Sequence, residues 1–196
     1  MRAPSASPDK RAELVGAAKR LLHRQGFHRT TLADVAADAK VPLGNVYYYF
    51  KTKEALAEAV ILAHEDALCG RFAEWTNAHT DPQKRLRCLV RAPLDASDSV
   101  IQFGCPHGSL CQELEKLGEG APLARASSRL LSVYVTWVET QFRELGAGRE
   151  SRALALQLVA AIQGTMLLAS TLRSPELLSR QLRRIERTLD DSRRQE

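Results

Sequence analysis

Tyr47, Tyr48, Tyr49 and Phe50 stand in a row, just after Gly44 and Asn45 and just before Lys51 and Lys53. Aromatic residues make up only 6% of the chain, so this run is a local anomaly. Phenols on a helix suit a nucleic-acid surface, because the ring packs against sugars while the hydroxyl donates to a phosphate. An asparagine amide can pair with a base edge. A glycine lets the helix backbone come close, and a lysine at the start of the next helix is placed for a phosphate. The competing reading is that all four rings belong to a core. Helix geometry, at about 100° per residue, separates the two. Val46 and Phe50 fall on one side, Gly44 and Tyr48 on the opposite one, with Asn45 and Tyr47 beside them. Three adjacent tyrosines cannot all point inward, and the outward face is small, polar and phenolic.

The charge distribution points the same way. The 196-residue chain carries 28 Lys+Arg and 23 Asp+Glu, a net +5. Residues 1–53 hold ten of the bases and four of the acids, a net +6, while residues 54–196 hold 18 and 19, a net −1. A basic module on a neutral body implies a polyanion partner at one end; chance basicity of a small domain is the alternative. Four cysteines (Cys69, Cys88, Cys105, Cys111) and an N-terminus without an apolar segment predict a reduced, cytoplasmic protein with no disulfide framework. Residues 153–172 contain no charge over 20 positions, enough to cross a bilayer. Gln157, Gln163, several alanines and the lack of an aromatic belt favour instead a helix buried on several sides by protein, with no membrane partner.

These residues need elements to position them. No stretch sustains a two-residue alternation, so the chain reads as all-α. Helices are expected over residues 8–25, 31–40, 42–49, 53–77, 81–97, 105–117, 122–146, 150–173 and 175–191. Ser7 reads as the first N-cap, and Gly26 ends the first helix in the left-handed conformation. Thr31 and Asp34 have the spacing of a capping box, and Thr52 caps the fourth helix. Two short helices, 32–39 and 43–49, joined by a tight turn, match a helix-turn-helix.

The stretch TTLADVAADAKVPLGNVYYYFKTKEAL resembles the DNA-binding signature of the tetracycline-repressor (TetR) family of bacterial regulators. The likeness lies in the Thr-capped second helix, the aromatic-rich recognition helix and the exit at Phe50, Lys53 and Leu56. It implies an all-α homodimer with an N-terminal three-helix helix-turn-helix domain (1–53). A larger helical C-terminal domain (54–196) would bind a small molecule and dimerise. Carried over by position, Thr30 and Thr31 would meet phosphates of double-stranded DNA. Leu43, Gly44, Asn45, Tyr47, Tyr48 and Tyr49 would line the DNA face, and Lys53 would clamp a phosphate. Two positions depart from the family pattern. Tyr49 stands where histidine is common, and Lys40 where the turn often has glycine. A non-glycine residue at positive φ there would cost roughly 1 kcal/mol, unless the turn takes another shape.

In the C-terminal part, QFGCPHGSLCQEL (102–114) resembles a Gly-Cys-Pro element of one branch of the same family. Cys105, His107 and Cys111 are zinc-ligand types, but their spacing is poor and a fourth ligand is not evident, so no metal is assigned. A redox-sensing thiol is a second reading and plain packing a third. By family analogy an effector pocket would be lined by Phe72, Trp75, Phe103, Cys105 and His107, together with Tyr134, Trp137, Phe142, Gln163 and Met166. A dimer seam would use Leu154, Leu158, Ile162, Gly164 and Leu168 of one helix and Leu178, Leu182 and Ile185 of the next; a helix wholly inside the monomer is the alternative. No paired carboxylates, Ser-His-Asp set or phosphate loop appears, so neither an enzyme nor a cofactor is expected. The whole reads as a ligand-responsive transcriptional regulator, a repressor binding a palindromic operator as a homodimer. A helical small-molecule or thiol-redox protein is the runner-up.

Overall fold

The computed structural model describes residues 8–118 and 120–192, so the expected cap at Ser7 lies outside it. Among these residues the chain forms helices and no strand: α1 (Pro8–Gln25), α2 (Leu32–Asp38), α3 (Leu43–Tyr49), α4 (Lys53–Ala78), α5 (Pro82–Asp95), α6 (Ser97–Phe103), α7 (Pro106–Glu115), α8 (Pro122–Glu144), α9 (Ser151–Thr171) and α10 (Pro175–Ser192). A 3-10 turn, Gly148–Glu150, leads into α9. The chain divides into two compact units, Met1–Asp66 with Ser109–Leu130, and Ala67–Gly108 with Leu131–Glu196. The sequence reading places its boundary at 53/54; here it falls within α4, and residues 109–130 join the N-terminal segment.

In the first unit, α1 packs on α2 and α2 on α3. The core holds Leu14, Ala18, Val35, Val46, Phe50 and Val60, all nearly excluded from water. The ends of α2 follow the sequence signals. Thr31 Oγ1 accepts from the Asp34 amide at 3.1 Å, and Asp34 Oδ2 accepts from the Thr31 amide at 2.8 Å, completing the capping box. At the other end Val41 N–H donates to Ala36 O and Lys40 N–H to Ala37 O, a Schellman closure with Lys40 in the left-handed position at φ 55°. The turn therefore keeps the shape that favours glycine, and Lys40 carries the strain of roughly 1 kcal/mol.

In the second unit, α10 packs on α9, α5 and α6, and α6 packs on α9. α6 is an element the sequence reading leaves as a connection. Its seven residues, SDSVIQF, are too few to show a period, and only Val100 is buried. α9 also differs from expectation. It is long and apolar enough to span a membrane by length and composition, but only 39% of its apolar window is buried. One face, including Ala155, Leu158, Ile162 and Met166, lies in the core. The other leaves Leu156, Leu167 and Leu168 half or more exposed, as is Leu172 beyond its end. The helix is thus buried on one side, not on several.

Arg85 ties the α4–α5 turn to α8. Its Nε donates to His79 O at 2.7 Å, and its Nη1 donates to Gln141 Oε1 at 3.0 Å and Glu144 Oε2 at 2.7 Å. Arg85 and Gln141 are both buried. Replacing the guanidinium leaves the Gln141 oxygen and the His79 carbonyl without their donor. Arg85→Ala should lower unfolding free energy by about 2–3 kcal/mol, read as a drop in the urea midpoint with an unchanged slope.

Candidate nucleic-acid interface

The recognition element is α3, and little local structure holds it. Its N-cap is Pro42, which makes no side-chain cap bond. Seven residues are too few to be helical alone. Burial of Val46 (0% exposed) and Phe50 (3%) fixes it on the rest of the unit. With that side committed, Leu43, Gly44, Tyr47 and Tyr48 are exposed and Asn45 and Tyr49 half-buried. Tyr49 packs its ring edge-on to Tyr48, centroids 5.1 Å apart. A Cβ added at Gly44 would meet nothing within 4 Å among the described residues, so packing within the chain does not require glycine there and the face is open at this point.

Positive charge in the same unit is available. Lys10, Arg24, Arg29, Lys40 and Lys51 are exposed and form no ion pair among the described residues. Arg20 is engaged by Asp38 at 2.6 Å, and Arg11 lies over the Phe50 ring, 5.2 Å from its centroid.

Two of the expected phosphate contacts have other tasks. Thr30 is buried (2% exposed), and its hydroxyl donates to Gly26 O at 2.7 Å, so it shapes the α1–α2 connection. Thr31 remains exposed as the cap of α2. Lys53 Nζ donates to Phe27 O at 3.0 Å and His28 O at 3.4 Å and sits 4.3 Å from the centre of the Phe27 ring. Lys53 is therefore a brace between α4 and that connection, not a free clamp. From another direction Glu113 of α7 accepts the Phe27 amide at 2.5 Å. Sequence reasoning missed both Phe27 and Glu113. No local signal marks a contact between positions 86 residues apart.

In the second unit the aromatic residues named as pocket liners do meet. Phe72 stacks on Trp137 at 4.4 Å between centroids and 10° between planes. Tyr134 and Trp75 complete the cluster around Phe72. His107 Nδ1 and the Tyr134 hydroxyl share a hydrogen bond at 3.0 Å. Cys105 Sγ accepts from Gly108 N–H at 3.4 Å and is also bonded by Gln163. Phe142 and Met166 are buried and Phe103 half-buried. Burial, reinforced by Cys105, pushes the Tyr134 phenol up. Burial likewise pushes the Cys105 thiol up, the reverse of what a reactive thiolate needs. In the first unit, Cys111 donates to Ser127 O at 3.1 Å. Among the described residues no group of three His, Cys, Asp or Glu is placed to hold a metal.

The seam residues divide. Leu158, Ile162, Leu178 and Leu182 are buried within the chain itself, 5% exposed or less, and are not offered to a second copy. Leu154, Gly164 and Ile185 are half-buried, and Leu168 is exposed.

Residues 14–60, which include α2 and α3, match the family model for bacterial regulatory proteins of the tetR family. Those residues form a helix-turn-helix module of the TetR kind. It is 28% identical to the helix-turn-helix transcriptional regulator LmrA of Bacillus subtilis over 83% of this chain and 87% of that one. It is 32% identical to the transcriptional repressor KstR2 of Mycolicibacterium smegmatis over 47% and 45%. The fold matches the regulatory protein TetR of Rhodobacter sphaeroides with a TM-score of 0.78 at 23% identity, over 90% and 96% of the two chains. With this module and these relatives, the chain is a DNA-binding transcriptional regulator and not an enzyme.

Two predictions follow from the interface. Tyr47→Ala should weaken DNA binding by about tenfold or more and leave the thermal midpoint unchanged. Lys53→Ala should weaken binding and also lower stability by about 1–2 kcal/mol, checked by pairing filter binding with thermal denaturation. The second concerns pH. Bonds from the Thr31 side chain and then its backbone hold the Asp34 carboxyl below its ordinary value of 3.8. A depressed carboxyl stabilises fully above its unfolded value and loses that contribution as pH falls toward its lower folded value. Asp34→Asn should therefore flatten the acid limb of the stability curve, beginning below about pH 5.

Proposed function

We propose that the chain is a cytoplasmic, ligand-responsive repressor that binds a palindromic operator as a homodimer. The observation that carries this is the outward face of α3, where Gly44, Tyr47 and Tyr48 are exposed while Val46 and Phe50 are buried. Unpaired basic residues in the same unit supply the attraction to phosphate. The relative KstR2 is named as a repressor, which favours repression.

The exposed leucines on α9, with Leu172 just beyond, support pairing with a second copy. Large apolar side chains exposed together on one helix suit a contact surface, and a two-fold pairing uses the same surface twice. Leu156, Leu167, Leu168 and Leu172 replace the buried leucines as the proposed seam, with Gly164 and Leu154 at its edge. Two recognition helices would then enter successive major grooves about 34–36 Å apart.

The Phe72–Trp75–Tyr134–Trp137 cluster, with His107 and Gln163 as its polar members, is the proposed effector site. An effector acts only through its differential affinity for the DNA-bound and free states.

A gel-shift on the DNA upstream of the chain's own coding region tests the reading. Affinity should fall steeply with salt, about 0.9 log units per phosphate for each log unit of salt. Leu168→Glu combined with Leu172→Glu should convert the sedimenting species to a monomer and weaken operator binding. Salt-independent binding, or a double variant that stays dimeric and binds as before, would sink it.

A further inference from the structure

We infer that Glu113 is a positioning residue for DNA recognition, acting from α7 on the loop that feeds the helix-turn-helix. The inference rests on the DNA-binding reading of α3 and adds a residue far outside the matched span of 14–60.

Residues 26–31 join α1 to α2, and their path sets where α2 and α3 stand. The loop makes little structure of its own: Thr30 N–H reaches Phe27 O at only 3.3 Å. Side chains fix it: Gln25 Nε2 donates to Arg29 O and Asp34 accepts from Thr31 N–H at its far end, and three more act on its near end. Thr30 Oγ1 binds Gly26 O, Lys53 binds the Phe27 and His28 carbonyls, and Glu113 Oε2 takes the Phe27 amide. An anion on the N–H side and a cation on the C=O side hold the same residue in opposite senses. Both bonds are charge-assisted, the stronger class. The Phe27 side chain is 2% exposed, so its peptide cannot turn to water if a partner is withdrawn.

Gly26 records how close the carboxylate comes. Its φ is 82°, and a Cβ there would collide with the Glu113 carboxylate. Glycine suits the conformation, and it leaves the room that the Glu113 carboxylate takes; a side chain there would push the carboxylate aside. Glu113 belongs to the same compact unit as α1, α2 and α3. The unit that reads DNA therefore includes part of α7.

Two variants of equal length isolate the acceptor. Glu113→Gln keeps an oxygen for the Phe27 amide, and Glu113→Met keeps only the stem. Affinity is measured on a duplex selected from a random-sequence pool by the wild-type chain, at a temperature where circular dichroism shows every variant folded. Glu113→Gln should bind within about threefold of wild type and Glu113→Met about tenfold or more weaker. Gly26→Ala should also weaken binding, and adding Glu113→Met to it should cost less than the two losses multiplied, because both act on one contact. Amide hydrogen exchange without DNA should quicken across residues 27–49 in Glu113→Met. Wild-type affinity in the Met variant, or equal losses in Gln and Met, would overturn the role. A wild-type chain that selects no duplex would overturn the DNA reading instead, and the exchange measurement would still decide the positioning role.

Discussion

A seven-residue helix has no stability of its own, and that constraint governs the DNA-reading unit. α3 exists because Val46 and Phe50 are buried against its neighbours. Once those two are placed, helical geometry leaves no choice about the rest: Gly44 and Tyr48 face out, Tyr47 beside them. The phenols are exposed because the anchor residues are not. The same logic explains why the supports of the unit are spent on the backbone. Thr30, Lys53 and Glu113 all bind main-chain groups of one loop, so the surface chemistry of α3 rests on polar contacts made to the backbone behind it.

Two helix ends accept strain to keep a direction. α2 closes with Lys40 at φ 55° and α9 with Arg173 at φ 52°. In both the chain makes a six-to-one bond, Val41 N–H to Ala36 O and Ser174 N–H to Ala169 O. A cation near a helix C-terminus interacts favourably with the helix dipole, offsetting part of the left-handed penalty. Arg173 adds a further contribution by donating to the carbonyls of Ile101 and Gln102 at the end of α6.

Much of this was legible in the residues. α1 spans the predicted 8–25, and the capping box at Thr31 and Asp34 forms as its spacing implies. The inward and outward faces of α3 follow from the wheel alone. α6 was not legible, because seven residues cannot display a period. The task of Lys53 was hidden for another reason. A lysine beside a DNA-like motif reads as a phosphate contact, but its long flexible stem can reach whichever anion or carbonyl the fold brings near, and here those are Phe27 O and His28 O. The proposed seam illustrates a third limit. A helix apolar on every face gives no clue to which leucines face water, and on α9 Leu158 and Ile162, two of the five residues named there, lie in the core. The clustering of Phe72, Tyr134 and Trp137 was anticipated as a set of residues, while the His107–Tyr134 bond depended on the path of the chain.

The first compact unit is assembled from two stretches of sequence, up to Asp66 and from Ser109 to Leu130. Chains are made from the N-terminus and fold in domains as they emerge. On a ribosome, the helix-turn-helix leaves the exit tunnel while Glu113 is still unmade, and its loop lacks the hold on the Phe27 amide. The nascent segment is thus built early and finished late. An N-terminal fragment released by premature termination would carry the tyrosines and the positive charge without the geometry that aims them, so truncated translation products are poor competitors for the sites of the full-length regulator.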